Sequence, residues 1–293
     1  DESYYKLTKA ERAKAKAPRV DETIYTNWNG LMISAYLEAA AILNDQTLRE
    51  FAIRSIQRLL REAYNSEHNA MYHYISGGTR HLECLLTDQA SFGKALIDAY
   101  QSTGDAQYVT HAERLVRYLD ESLLDSRDGG YYDSPPKPDS LGYLKRLDKP
   151  LDENSALSMV LTRLHHATNE EAYLERAKST LDAFTGIYGG YGYAAGTYAL
   201  ATDLFLNEPT RIVVVGAKND PATRQLHETS LRLYDARKLV IPLDPDTDTE
   251  RLQGLGYSAD AEPRVYICFG KTCLPPVTDP AEIPRQLLRL AKH

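Results

Sequence analysis

The sequence predicts a mainly α-helical protein in which paired helices form part of a ring, followed by a small α/β module. Two observations predict the ring: one segment recurs three times, and each copy carries two apolar patterns of helical period. A third observation, short apolar runs alternating with helical patterns near the C-terminus, predicts the α/β module. We expect a linker over residues 1–26, helical hairpins over 27–208 and the module over 209–293.

The three copies begin at Asn27, Thr87 and Asp152 and superpose without gaps at offsets of 60 and 65 residues. Equivalent positions carry similar residues, as in the set Ala52, Ala112 and Ala177. Short polar turns divide each copy, at Asn44-Asp45, Gly104-Asp105 and Asn169-Glu170. Each copy is therefore predicted to be an αα-hairpin.

The two helices of a hairpin differ in character. The first is apolar nearly all round and the second is amphipathic, so we expect first helices in an inner ring and second helices outside it. Three long connections rich in Gly and Tyr, the arms at residues 63–84, 123–151 and 186–194, precede inner helices. Such loops often carry function, which makes the rim where the inner helices begin the candidate face. A further helix, AAGTYALATDLFL, brings the total to about seven.

Polar and aromatic residues occupy equivalent positions in the first turn of each inner helix. Trp28 aligns with Asp88 and Glu153, and Asn29 aligns with Gln89 and Asn154. A ring brings its inner-helix starts together, so the set predicts a ligand site. The plainer alternative is helix capping alone, by Asn27, Thr87 and Asp152.

The expected chemistry follows from the carboxylates. Asp88 and Glu153 are the catalytic candidates, and positive helix ends should lower the pKa of both, suiting a base, a nucleophile or a hydroxyl acceptor. The proton donor must then come from the arms, which offer His73, His81, Tyr131 and Tyr132. Arg146 either holds an anionic group or pairs with a neighbouring aspartate. The chain has 21 tyrosines and 5 phenylalanines, and arm tyrosines offer faces on which sugar rings stack.

Charge and hydropathy exclude two classes of partner. The net charge of −7 and the absence of a basic run argue against nucleic acid. No apolar stretch reaches the roughly 18 residues that a membrane span needs, and the N-terminus lacks the apolar centre of a signal peptide. We therefore expect a cytoplasmic protein without a membrane partner.

Three cysteines are too few for a disulfide framework or a zinc site, and we expect no metal and no cofactor. Cys268 and Cys273 lie opposite each other across a predicted hairpin turn. A disulfide requires their Cα atoms within about 7 Å, and two reduced structural thiols are the first expectation. The run VVVG lacks the rest of a nucleotide-binding motif.

Several segments carry a family resemblance over nearly the whole chain. DETIYTNWNGLMISA, LLTDQASFGKALIDAYQSTGDAQYV, GGYYDS and YICFGKTCLPPVTDP together resemble the C-terminal part of a thioredoxin-domain-containing family that includes the spermatogenesis-associated thioredoxin-like proteins. The resemblance implies a six-hairpin α/α toroid akin to N-acylglucosamine 2-epimerases and six-hairpin glycosidases. Carried over by position, it points to a set of residues: Asp21, Trp28, Asn29, Asp88, Arg146, Asn154 and Ser155. The family's Pro-Ser-Gly-Asn-Ser is replaced here by Leu-Asp-Glu-Asn-Ser, which weakens the equivalence at Asp152 and Glu153.

Two functions from different classes follow. The first is a toroid portion that binds or modifies a carbohydrate, with Asp88 and Glu153 as catalytic residues and a substrate-binding set of Asp21, Trp28, Asn29, Gln89, Tyr131, Arg146 and Asn154. The alternative is a non-catalytic accessory module for a thioredoxin-like redox partner. Seven helices cannot close a ring of twelve, so we expect a second polypeptide, a second copy or the missing half of a longer precursor to complete it.

Overall fold

The structure, a computed structural model, describes residues 2–136, 141–258, 262–270 and 272–290. Helices α1 (Glu2–Lys6) and α2 (Lys9–Arg12) are short and exposed. The ring helices follow as α3 (Thr26–Leu43), α4 (Gln46–Glu62), α5 (Leu86–Thr103), α6 (Gln107–Ser122), α7 (Leu151–Thr168), α8 (Glu171–Asp182) and α9 (Gly196–Leu206). The pairs α3/α4, α5/α6 and α7/α8 pack as hairpins, and α3, α5, α7 and α9 contact one another in that order. The predicted hairpins and their inner and outer helices are confirmed.

The inner helices end alike in all three repeats. The residue after each one, Asn44, Gly104 or Asn169, has a left-handed backbone with φ of 53°, 67° and 65°. Its N–H bonds to the carbonyl four residues earlier, which closes the helix and turns the chain toward the outer helix. Glycine and asparagine adopt this conformation most readily, so the polar turns seen in the sequence have a backbone cause.

Burial separates inner from outer helices. Helix α5 is surrounded, and its buried residues cover both sides of the helix, from Leu86 and Phe92 to Tyr100. Helix α4 buries only Ala52, Ile56 and Leu59 and exposes its charged side. Helices α3 and α5 approach so closely that a Cβ on Gly30 would lie 2.9 Å from the Ser91 carbonyl carbon. Glycine at position 30 therefore sets the spacing of these two inner helices.

The first arm is not the loop that the sequence analysis predicts. It forms β2 (Tyr64–Asn65), β3 (Ala70–Ser76) and β4 (Thr79–Glu83), and β1 (Ile24–Tyr25) pairs with β3 from the other side. All these pairings are antiparallel. The alternating Met-Tyr-His-Tyr-Ile run followed by Ser-Gly-Gly is a strand-and-turn signal that the loop interpretation overlooked.

The C-terminal module is a four-stranded sheet with flanking helices. Its elements are β5 (Thr210–Val215), α10 (Pro221–Arg232), β6 (Leu239–Leu243), α11 (Thr249–Leu255), β7 (Arg264–Phe269), β8 (Thr272–Cys273) and α12 (Glu282–Leu290). The strand order is β6-β5-β7-β8, with β5 and β6 parallel and the other pairs antiparallel. The predicted α/β character of this module is confirmed.

The sheet shares its core with the ring. Alternate residues of β5 and β6, among them Val213 and Ile241, belong to the same apolar cluster as the inner helices, whereas Ile212 and Val240 lie in a second cluster on the opposite face. The Gln101 side chain accepts a hydrogen bond from the Val240 N–H at 2.9 Å. The helical ring and the module are therefore packed as one body.

The expectation of reduced thiols in the module is wrong. Cys268 and Cys273 pair across β7 and β8 with Cα atoms 4.0 Å apart and form a disulfide. The hairpin register brings the two sulfur atoms together, which the spacing in the sequence allowed but did not require. Cys84 is a free cysteine and is buried. No helix in the described part of the chain is long and apolar enough to span a membrane.

Candidate functional site

The starts of α3, α5 and α7 are equivalent. They begin at Thr26, Leu86 and Leu151, which are separated by the same 60 and 65 residues as the repeats. Trp28, Asp88 and Glu153 are consequently the third residue of their helices. The capping prediction for Asn27, Thr87 and Asp152 is wrong, because all three lie inside the helices and the residues just before the helices make no side-chain cap.

Asp88 connects three elements at the rim. Its side chain is fully buried, and Oδ1 accepts a hydrogen bond from the Asn27 N–H in the first turn of α3 at 3.0 Å. On the other side, His73 Nδ1 from β3 lies 3.0 Å from Asp88 Oδ2 and 3.1 Å from Oδ1. The carboxylate thus satisfies a free N–H of the neighbouring inner helix and holds an imidazole ring, a role the sequence could not assign because His73 lies 15 residues away.

The predicted lowering of the Asp88 pKa is wrong in sign. Burial raises the pKa of Asp88 to about 6, while His73 and the Asn27 N–H act in the opposite direction. Removal from water disfavours the charged carboxylate more strongly than the helix end favours it. Asp88 is still mainly ionised at neutral pH and can only accept hydrogen bonds, so it favours the form of His73 in which Nδ1 carries a proton.

Glu153 lies beside this pair and its pKa also moves opposite to the prediction. Burial, followed by the charges of Asp133 and Asp88, raises the pKa of Glu153 to about 7, against the lowering effect of the Thr87 hydroxyl. The carboxyl group is half-buried and is close to half protonated at neutral pH. Glu153 can therefore donate a proton, which the sequence analysis assigned to an arm residue.

Aromatic rings surround His73 on its open side. The Tyr25 ring lies 4.7 Å from Trp28, 5.6 Å from His73 and 5.7 Å from Tyr74, measured between ring centres. Trp28 remains 63% exposed although it is the only tryptophan of the chain. Tyr25 thus links the exposed Trp28 indole to the partly buried His73, and the rim offers both a flat apolar surface and a proton-transfer group.

Gln89 and Asn154, predicted as substrate-binding residues, are occupied by the protein backbone. Gln89 accepts from the Met71 N–H at 2.8 Å and donates to the Met71 carbonyl at 3.0 Å. Asn154 does the same at Tyr131, with distances of 2.7 and 2.9 Å. Equivalent side-chain amides in two repeats thus clamp the arm that precedes their own helix, and in this way they hold the rim in position.

Asn29 is the equivalent residue in the first repeat, and it makes only some of these hydrogen bonds. Like Gln89 and Asn154, it donates to the carbonyl four residues earlier, here Tyr25 at 2.7 Å. The described residues place no arm backbone against its amide oxygen. The Asn29 side chain is half-buried at the edge of the ring.

The remaining predicted residues lie apart from the His73–Asp88 pair. Tyr131 is fully buried and donates its hydroxyl to Asp120 at 2.6 Å. Arg146 is exposed and pairs with Asp148 at 3.3 Å, the plainer of its two predicted roles. Asp21 is exposed and accepts from the Thr23 N–H. No geometry in the described residues directs these three side chains to the rim pair.

The other predicted proton donors are engaged elsewhere. The His81 ring stacks on Tyr74 with ring centres 4.6 Å apart, and the Tyr132 hydroxyl donates to Asp125 at 2.8 Å. Hydrogen bonding to Asp125 raises the pKa of Tyr132, which makes it a poorer acid. Among the described residues, no group of three or more His, Cys, Asp or Glu side chains could hold a metal ion.

Comparisons with known proteins match the C-terminal part of one group. Human spermatogenesis-associated protein 20 is 26% identical over 301 residues, which cover 97% of this chain and 38% of that protein. An uncharacterized protein of Caenorhabditis elegans is 24% identical over 281 residues, or 91% of this chain and 38% of that protein. The chain is thus similar in sequence to spermatogenesis-associated protein 20 over nearly its whole length. It spans less than two fifths of the length of these relatives, and no family model matches it.

Solved structures confirm the fold class. Cellobiose 2-epimerase from Bacillus thermoamylovorans superposes with a TM-score of 0.54 at 13% identity over 72% of this chain and 61% of that one. Cellobiose 2-epimerase from Spirochaeta thermophila gives 0.51 at 20% identity, over 59% and 46% of the two chains. The helical hairpins therefore have the fold of the six-hairpin glycosidase and epimerase toroids, and the described residues form part of one.

Proposed function

We propose that the rim binds a carbohydrate and transfers protons on it, in the manner of a sugar epimerase or isomerase. The observation that carries the proposal is the pair of His73 and Asp88 beside a carboxyl group, Glu153, whose pKa is raised to about 7. The structural neighbours named as cellobiose 2-epimerases share the fold and support the choice of substrate class. Fold alone does not determine chemistry, so the proposal rests on the site.

The roles follow from the hydrogen bonds. Asp88 fixes the Nδ1–H tautomer of His73, so Nε2 takes the proton from the carbon next to the sugar carbonyl. Glu153 gives its proton to the carbonyl oxygen, and the product of this step is an enediol. The enediol then rotates about the C2–C3 bond and turns its other face toward His73, whose protonated ring returns the proton to the same carbon. Glu153 takes back the proton of the enediol hydroxyl, and the product is the epimer. The exposed indole of Trp28 stacks on the sugar ring.

Deuterium exchange tests the proposed proton transfer. The protein is incubated with cellobiose, glucose or mannose in D₂O, and NMR follows loss of the proton at C2. We expect exchange in the parent and at least a hundredfold slower exchange in His73→Gln, since one general base contributes about 10²–10⁴-fold. Exchange that survives in His73→Gln would contradict the assignment of the base.

Binding is tested separately by calorimetry with the same sugars. Trp28→Ala should weaken binding, whereas Tyr234→Ala, which removes an even more exposed aromatic ring in the C-terminal module, should leave it unchanged. Asp88→Asn removes the carboxylate charge at the His73 ring with little change in shape. Equal affinities in the parent, Trp28→Ala and Asp88→Asn would count against the rim as the site.

We also propose that further helical hairpins complete the ring beside α3, from a second polypeptide, a second copy or additional length of the same chain. The exposed apolar side chains of Trp28, Leu31 and Met32 on that helix support this, as does the free amide oxygen of Asn29 among the described residues. Sedimentation of the purified chain distinguishes a second copy, because Met32→Glu should convert a dimer to a monomer. A monomeric parent would exclude the second copy as the source.

A further inference from the structure

The disulfide between Cys268 and Cys273 presents its two sulfur atoms very differently. Cys268 is the penultimate residue of β7 and is fully buried. Cys273 lies on β8, the last strand of the sheet, and is exposed. A thiol arriving from solvent therefore meets the sulfur of Cys273, and Cys268 is shielded by the sheet.

The surroundings of Cys268 suit a leaving thiolate. The Tyr257 hydroxyl lies 3.7 Å from Cys268 Sγ, within hydrogen-bonding distance for sulfur. Arg211 on β5 is the register partner of Cys268, and its guanidinium donates to the Gly270 carbonyl in the turn of the same hairpin. Burial raises the pKa of Tyr257 and the charge of Arg211 acts against this rise, so the guanidinium field reaches the hydroxyl. A donor and a cation thus lie on the side of Cys268.

We propose that this disulfide is a thiol–disulfide exchange site, in which Cys273 is the attacked sulfur and Cys268 the leaving and resolving sulfur. A thiolate attacks Cys273 Sγ, a new S–S bond forms there, and the bond to Cys268 breaks with its electron pair moving to Cys268 Sγ. The co-reactant is a dithiol, whose second thiolate then releases Cys273, so the dithiol is oxidised and the cysteine pair is reduced by two electrons.

The direction of attack follows from general exchange chemistry. Exchange is faster when the attacked sulfur is accessible and when the departing thiol has a low pKa. In the reverse direction the Cys268 thiolate attacks a mixed disulfide on Cys273 and expels the incoming thiol. Cys84 provides a contrast, because it has no partner cysteine.

Reduced glutathione is the probe for the oxidised parent protein. The reaction is quenched with acid, the peptides are separated, and mass spectrometry locates glutathione. We expect glutathione on Cys273 and a free thiol at Cys268. Glutathione mainly on Cys268, or a disulfide that excess dithiothreitol opens only in urea, would each overturn the proposal.

Two single-cysteine variants form a matched pair. In Cys268→Ser the remaining Cys273 should react with glutathione disulfide at least tenfold faster than Cys268 does in Cys273→Ser. Equal rates in two variants with the same unfolding midpoint would contradict the assigned order of attack.

Tyr257 is a positioning residue in this scheme. Tyr257→Phe should slow opening of the disulfide several-fold and move the pH profile for alkylation of Cys268 in the reduced protein upward, because a hydrogen bond to the thiolate is lost. An unchanged pH profile would show that Tyr257 packs against the sulfur without assisting its departure.

Discussion

Replacing Asn154 by alanine tests whether the amide clamps hold the rim in place. Asn154 is fully buried, and its side chain bonds to the N–H and the carbonyl of Tyr131 and to the carbonyl of Pro150. The substitution leaves two backbone groups of the second arm without partners in a buried site. Each such group costs about 1–3 kcal/mol, so we expect a loss of about 2–6 kcal/mol in the free energy of unfolding.

The internal repeat supplies the control. Asn29→Ala removes only the bond to the Tyr25 carbonyl at a half-buried position, and it should cost less than about 1.5 kcal/mol. Gln89→Ala should resemble Asn154→Ala, because Gln89 clamps Met71 in the same way. All three residues occupy equivalent positions in their inner helices. A difference between Asn29→Ala and the other two variants therefore reports the hydrogen bonds to the arm backbone.

Urea unfolding followed by far-UV circular dichroism measures the free energy of unfolding of all three variants, and thermal unfolding measures their Tm. A change of 2–4 °C in Tm per kcal/mol puts the expected fall for Asn154→Ala on the order of 10 °C. If Asn29→Ala destabilised as much as Asn154→Ala, the backbone clamp would not be the source of the effect. A loss below about 1 kcal/mol in Asn154→Ala would refute the reasoning directly.

Two further predictions concern helix packing and pH. Gly30→Ala places a Cβ 2.9 Å from the Ser91 backbone and should lower the free energy of unfolding by about 1–3 kcal/mol. In Gly93→Ala the nearest atom to the new Cβ is a Val160 methyl at 3.4 Å, so the loss should be smaller. Urea unfolding compares the two variants. Glu153 binds its proton more tightly when folded, since its pKa rises from 4.5 to about 7, so its contribution to stability falls as pH increases through that range. Glu153→Gln should therefore gain stability relative to the parent between pH 4.5 and 7, and parallel curves for the two proteins would show that the Glu153 pKa is not raised.

The repeat explains why so much of the fold could be predicted. Helix starts, hairpin turns and burial all follow from positions that recur at offsets of 60 and 65 residues, and the left-handed turns at Asn44, Gly104 and Asn169 recur with them. The loop prediction for the first arm overlooks the local strand-and-turn signal of β3 and β4. Only the pairing of β3 with β1, which precedes the repeat, lies beyond the reach of a local pattern.

The site was predicted in part, and the failures share one cause. The two predicted carboxyl groups are linked as far as the charge of Asp88 contributes to the raised pKa of Glu153. His73 reaches Asp88 only because β3 runs past the start of α5. Gln89 and Asn154 looked like ligand-binding residues because polar side chains at helix starts are ambiguous in sequence. Their actual partners are backbone groups of the arms, which carry no residue-type signal.

The sign of the two carboxyl pKa shifts bears directly on function. At an exposed helix start, a carboxylate near the positive end would be ionised at neutral pH and could serve only as a base or an acceptor. The arms cover the starts of α5 and α7, and the resulting burial outweighs the helix field at Asp88 and Glu153. Asp88 has His73 beside it and serves as the charged residue that orients the imidazole. Glu153 has acidic neighbours, keeps its proton to higher pH and serves as the proton donor. The clamps at Gln89 and Asn154 hold the arms in place, so they also maintain the burial on which this division of roles depends.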